Sequence, residues 1–230
     1  FEVAPKAFLI GLALLGQSSS QGAIEVLEAG QNAPGNATET QALFHLAKAM
    51  SYTSEAAQDA VYQLEQIKSK HADNAVVHWA SAVAASIHAE VTPSKKTRGE
   101  LLQAATADIA RASELGADWA PIHSARCEIH TKVIDLEKAE EYCAAGAKLA
   151  PSYAPGIVVT ARLRLQEGKF EDAKALSDKA LALRPNDPVV GLLAARVAIE
   201  RLELEEAAKL INRWLGKEVD KYELSLLEGR

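Results

Sequence analysis

Aromatic side chains make up only 5% of the 230 residues, and alanine is abundant, so bulky rings cannot supply most of a core. Helices brought close through small side chains are the packing this composition favours. Two cysteines are too few for a disulfide-rich framework and leave the redox compartment open. A basic excess is missing as well: 25 Lys and Arg stand against 31 Asp and Glu, a formal charge of −6. Polyanion binding, and with it nucleic acid, is therefore a poor first expectation. No apolar run is long enough to span a bilayer as a helix, because the longest, Ala7 to Leu15, has about half the required length. Strand alternation between hairpin turns and a glycine-rich phosphate loop after a strand are both absent from the pattern, which removes the usual support for a nucleotide enzyme.

The run from Ala7 to Leu15 follows Lys6 and precedes Ser18, Ser19 and Ser20, an order that resembles a signal-peptide remnant. It also fits a first amphipathic helix, and the register of the rest of the chain favours that reading. A length of 230 residues suits one sizeable core or a short solenoid.

What the sequence does contain is a period. Ala139, Ala173 and Ala207 recur at intervals of 34 residues, as do Pro151 and Pro185, while Gly168, Phe170, Ala173, Ala180 and Pro185 punctuate a single unit. The segment from Glu167 to Asp187 (EGKFEDAKALSDKALALRPND) has parallels in Asp135 to Ser152 and in Leu202 to Gly216. Small residues at the alanine positions let two antiparallel helices approach, Phe170 and Leu204 fill the space beside the turn, and Pro185 closes one unit before the next.

These segments resemble the tetratricopeptide repeat, most specifically over residues 120–216. The resemblance implies an all-α, right-handed solenoid of antiparallel helix pairs, about five to six repeats, over a single domain spanning 1–230. In this register the units are Ala120 to Tyr153, Ala154 to Asp187 and Pro188 to about Lys221, with Gln41 to Asn74 fitting upstream. Val3 to Pro34 forms a degenerate first unit. Ala75 to Trp119 is longer than a standard unit, and its extra residues are expected near 90–98, as a longer connection or an extended helix end. The periodicity predicts helices near 4–16, 20–31, 38–51, 54–70, 74–89, 97–115, 120–132, 136–149, 154–167, 170–183, 188–200, 204–215 and 219–227, the last covering the terminal hydrophobic edge.

The resemblance further implies a non-enzymatic scaffold or adaptor, whose first helices line an inner groove for a partner segment. Arg162 and Arg196 share one repeat position, with Val158 and Leu192 one turn earlier and Gln166 and Glu200 one turn later. Aliphatic contacts joined to cationic donors suit a protein or peptide with apolar residues and an acidic anchor. Pairing of the arginines with nearby helix-surface acids is the structural alternative. The asparagines of chaperone-tail clamps are missing, since the equivalent positions hold Pro155, Val158, Val189 and Leu192. Homo-oligomerisation and compartment stay open, with a lean to the cytoplasm and with periplasmic or secreted placement as alternatives.

His123, Cys127 and His130 share one face of a helix, and Cys143 lies on the next helix. Buried, partly polar packing is the favoured reading; a Cys127–Cys143 disulfide and a His2Cys2 zinc site are the alternatives, the latter making a metal-stabilised helical regulatory module. No cofactor and no catalytic residue are assigned. His78 takes the helical position of His123, while His45, His71 and His88 have no common ligand geometry. Plentiful carboxylates on amphipathic helices are expected to solvate the outer surface, leaving a hydrolase near residues 90–98 as the weakest reading. Trp79, Trp119 and Trp214 are expected to pack, and Lys95, Lys96 and Arg98 to sit on a solvated connection.

Overall fold

The computed structural model describes residues 3–16, 19–31, 37–51, 53–116 and 118–214. Among these residues there are twelve α-helices and no strand. They fall in two compact units, residues 1–118 and 119–230. The first holds α1 (Val3–Leu15), α2 (Ser20–Gly30), α3 (Ala37–Ala49), α4 (Ser54–Lys70), α5 (Ala75–Val91) and α6 (Lys95–Glu114). The second holds α7 (Ala120–Lys132), α8 (Leu136–Leu149), α9 (Ala154–Gln166), α10 (Phe170–Leu183), α11 (Pro188–Glu200) and α12 (Leu204–Trp214). Consecutive helices form antiparallel pairs, and within each unit the first helix of a pair also packs on the first helix of the next, α1 on α3 and α3 on α5, then α7 on α9 and α9 on α11.

The local causes are legible residue by residue. Pro121, Pro155 and Pro188 stand in the opening turns of α7, α9 and α11, where a missing N–H costs nothing. The Asp187 carboxylate accepts from the Val189 backbone N–H at 3.0 Å, and the Asn74 side chain accepts from those of Val76 and Val77. In the second unit every pair turns in the same way. Ile134, Gly168 and Leu202 hold positive φ of 63°, 73° and 62°. The following N–H groups of Asp135, Lys169 and Glu203 donate to the carbonyls of His130, Arg164 and Ala198 at 2.9, 2.9 and 2.8 Å, a Schellman closure repeated every 34 residues.

Ala139, Ala173 and Ala207 are all buried, as close helix crossing requires. A Cβ on Gly11 would collide with the Leu27 side chain, and one on Gly30 with the Ala7 Cβ, so the close approach of α1 and α2 requires glycine at both positions. The apolar run after Lys6 thus packs as the first helix of a pair. In the second unit one cluster gathers Val158, Ala161, Ala173, Ala180, Val190 and Val197, and another gathers Cys127, Ala139, Cys143, Val159 and Leu163.

The extra length in Ala75 to Trp119 goes into helix rather than loop. α5 and α6 have 17 and 20 residues, against 13 and 14 in α9 and α10, and only Thr92, Pro93 and Ser94 join them. Ser94 caps α6 by accepting from the Thr97 N–H at 3.2 Å. Arg98 is not merely solvated: it donates to the carbonyls of Ala89 and Thr92 at 3.0 and 3.1 Å, satisfying the end of α5. Lys95 and Lys96 are exposed. The expected helix at 219–227 lies outside the described residues, as does the side chain of Trp214.

Candidate functional site

One face of the second unit carries a row that the 34-residue period places on three neighbouring first helices: Glu128 on α7, Arg162 on α9 and Arg196 on α11. Arg162 Nη1 donates to Glu128 Oε1 at 3.0 Å, and Lys132 Nζ stands 3.4 Å from the same oxygen. Burial alone pushes the Glu128 carboxyl up, but Lys132 and Arg162 outweigh it and hold the group below the ordinary glutamate value. One turn later the row reads Lys132, Gln166 and Glu200, of which Gln166 is exposed and the other two are half-buried. Arg196 is the one exposed residue of α11. Val158 and Leu192 are buried, Val158 within the core cluster, so the aliphatic members lie in the packing behind the charged row.

Arg162 is thus paired with a helix-surface acid, and that acid comes from the preceding repeat. Counting one period back from Arg162 would have found Glu128. Arg164, two residues on, binds Glu140 of α8 through both nitrogens at 2.5 and 2.7 Å and Glu167 at 2.6 Å, which raises its pKa further above its ordinary value. Arg126 lies over the Tyr142 ring at 3.7 Å.

Cys127 and Cys143 are joined by a disulfide across a Cα separation of 5.2 Å, linking α7 to α8. Both are buried, as the packing register requires, but they are not free thiols. The reason is positional: Cys143 follows Ala139 by one turn and packs in the same buried cluster as Cys127. The bond takes up both sulfurs that a His2Cys2 site would need as thiolates. His130 is instead within 3.4 Å of Asp135 and packs beside Tyr142, its pKa lowered by burial. His123 is half-buried on the same helix. No group of three or more His, Cys, Asp or Glu able to hold a metal occurs among the described residues.

A polar cluster in the first unit escaped the sequence reading. Asp108 of α6 accepts from Lys68 Nζ of α4 at 3.0 and 2.8 Å and meets His78 Nδ1 of α5 at 2.8 Å. His78 Nε2 donates to the Ala72 carbonyl at 2.9 Å. Burial by itself draws Lys68 down, yet the Asp108 and Glu65 carboxylates hold it above the ordinary lysine value. The signal was a carboxylate on the apolar stripe Ala105, Ile109, Ala112 of α6. Its partners lie 40 and 30 residues away, on helices that only folding brings together. Trp79 is buried as expected, while Trp119 is half-buried just ahead of α7.

This arrangement of paired helices is that of tetratricopeptide-repeat proteins. The sequence model of the tetratricopeptide repeat matches residues 164–227. Three solved structures share the fold. A thermophilic tetratricopeptide-repeat protein of Thermus thermophilus has 16% identity and a TM-score of 0.68, over 86% of this chain and 99% of its own. A tetratricopeptide-repeat protein of Parabacteroides merdae has 13% identity and a TM-score of 0.57, over 98% and 88%. The type IV pilus biogenesis factor PilW has 14% identity and a TM-score of 0.52, over 97% and 98%. No curated protein matches the sequence. The chain thus has a tetratricopeptide-like fold, with the repeat recognisable in sequence over its C-terminal segment.

Proposed function

We propose that the chain is a non-enzymatic protein-binding scaffold, and that the first-helix face of its second unit receives a partner segment through Arg196, Gln166, Glu200 and the Arg162–Glu128 pair. Tetratricopeptide folds are characteristically scaffolds for protein–protein contact. The observation that carries the assignment is the exposure of Arg196 on a helix otherwise buried or half-buried along its length. A cation kept at the surface of so enclosed a helix suits a carboxylate on the partner. Arg162, engaged by Glu128, orients the row, and Val158 and Leu192 contribute by packing the helices beneath it.

Affinity capture from the native source with wild type and Arg196→Glu side by side tests this. The variant is expected to lose a partner that the wild type retains, with the melting temperature within about 2 °C, because surface substitutions change stability by roughly 0.5 kcal/mol or less. An identical partner set for the two proteins would remove the groove assignment. Arg162 is unsuited to charge reversal, since a glutamate there would face Glu128.

The disulfide supports an oxidising compartment over the cytoplasm for the working protein, since such bonds persist where thiols are not kept reduced. Intact-mass measurement of protein alkylated at lysis, without reductant, should find both cysteines protected.

A further inference from the structure

The two sulfurs of the bridge are not equivalent. Cys127 is 0% exposed, whereas Cys143 is 5% exposed and lines a cavity of about 90 Å³ that Cys127 does not reach. The cavity runs between α7, α8, α9 and α10, with Ser124, Tyr142, Thr160 and Lys179 among its lining residues. Gly146 and Gly156 border it, and a Cβ on either would crowd His123 or Ser124 at 3.1 Å. Space of this size holds several waters or the reacting end of a small thiol. The Thr160 hydroxyl lies 2.8 Å from the Gly156 carbonyl and 3.3 Å from Cys143 Sγ, so its single hydrogen rests on the carbonyl or rotates to a thiolate at Cys143.

We propose that Cys143 is the entry point for thiol–disulfide exchange at this bridge, the cavity admitting a small thiol or disulfide while Cys127 acts as the enclosed resolving sulfur. In formation, the Cys143 thiolate attacks a disulfide-bearing oxidant, the oxidant's S–S bond breaks, and one of its sulfurs leaves as thiolate. The Cys127 thiolate then attacks Cys143 Sγ, the bridge forms, and the second oxidant sulfur leaves. Two electrons pass to the oxidant, and the two protons shed by the cysteine thiols go to its sulfurs through solvent. In opening, an incoming thiolate attacks Cys143 Sγ and Cys127 leaves, so the first mixed disulfide sits on Cys143. A second thiolate attacks the outer sulfur and releases Cys143.

The test uses the folded, oxidised protein. It is exposed to 2-mercaptoethanol without denaturant, quenched with acid at short times, and mapped by peptide mass spectrometry. The first adduct is expected on Cys143 in at least tenfold excess over Cys127. Adducts on Cys127, equal adducts on both, or no adduct until the chain is denatured would each overturn the proposal. Single variants give a second readout: with Ellman's reagent, Cys143 in Cys127→Ser should react at least tenfold faster than Cys127 in Cys143→Ser, with the difference abolished in denaturant. Equal native rates, with helical circular dichroism retained in both variants, would contradict it.

Discussion

Ile134 and Leu202 occupy left-handed backbone at the turns of their pairs, yet they are 72% and 82% exposed, so neither gains much from burial. The middle pair uses Gly168 at the same place. A left-handed conformation costs a side chain with a Cβ about 1–2 kcal/mol, and glycine adds about 0.5–1 kcal/mol of unfolded-state entropy. Ile134→Gly and Leu202→Gly are therefore each expected to stabilise the protein by roughly 0.5–1 kcal/mol, read as a rise of a few degrees in melting temperature. A fall in either variant would show that the exposed side chain makes a packing contribution larger than its backbone cost. Sequence alone marks the 34-residue spacing of these three positions, but not their sign of φ, which depends on how each pair closes.

Among the elements, α4, α5 and α6 are tied through one carboxylate. Asp108 is about a tenth exposed and meets both Lys68 and His78, so removing it leaves the half-buried Lys68 ammonium with Glu65 alone and the buried His78 ring without its Nδ1 partner. Asp108→Ala is expected to cost about 1–3 kcal/mol, the usual scale for leaving a buried polar group without its partner, and thermal or urea unfolding reads it directly. A loss below about 1 kcal/mol would mean that water replaces the carboxylate with little penalty. The helices themselves were largely foreseeable, because capping residues, prolines and small-residue spacing are local. The extra residues of Ala75 to Trp119 left two outcomes open, a longer connection or longer helices. Packing chose the latter, since the longer α5 is buried from Val77 to Ala89 with only Val83 half-buried, its apolar residues joined by the polar side chains of His78, Ser81, Ser86 and His88.

For the molecule as a whole, acidification has a defined sign. His45, His88 and His130 are held below the ordinary histidine value of 6.5, chiefly by burial, so the unfolded chain takes up their protons first. Their contribution is complete above about 6.5 and declines as pH falls toward their folded values. Asp59 is lowered by its bond from Lys48, Glu140 by Arg164, and Glu128 by Lys132 and Arg162 against the opposing effect of burial. Their stabilisation is present above the ordinary carboxylate range and is lost on falling through the lowered values. Melting temperature should thus decline in two stages between about pH 7 and about pH 3, while Lys68 withdraws support only above about pH 10.5. A flat profile from about pH 7 to about pH 5 would contradict the histidine assignment.

The sequence by itself determined the all-helical class, the pairing of helices and the 34-residue register, because helix starts, helix stops and close-contact alanines act over a few neighbouring residues. Tertiary structure alone decided that the two sulfurs bond, which acid meets Arg162, which residue of α11 is exposed and how Asp108 is satisfied. Each of these depends on distances between side chains tens of residues apart, and such distances exist only once helices bury one another's apolar faces.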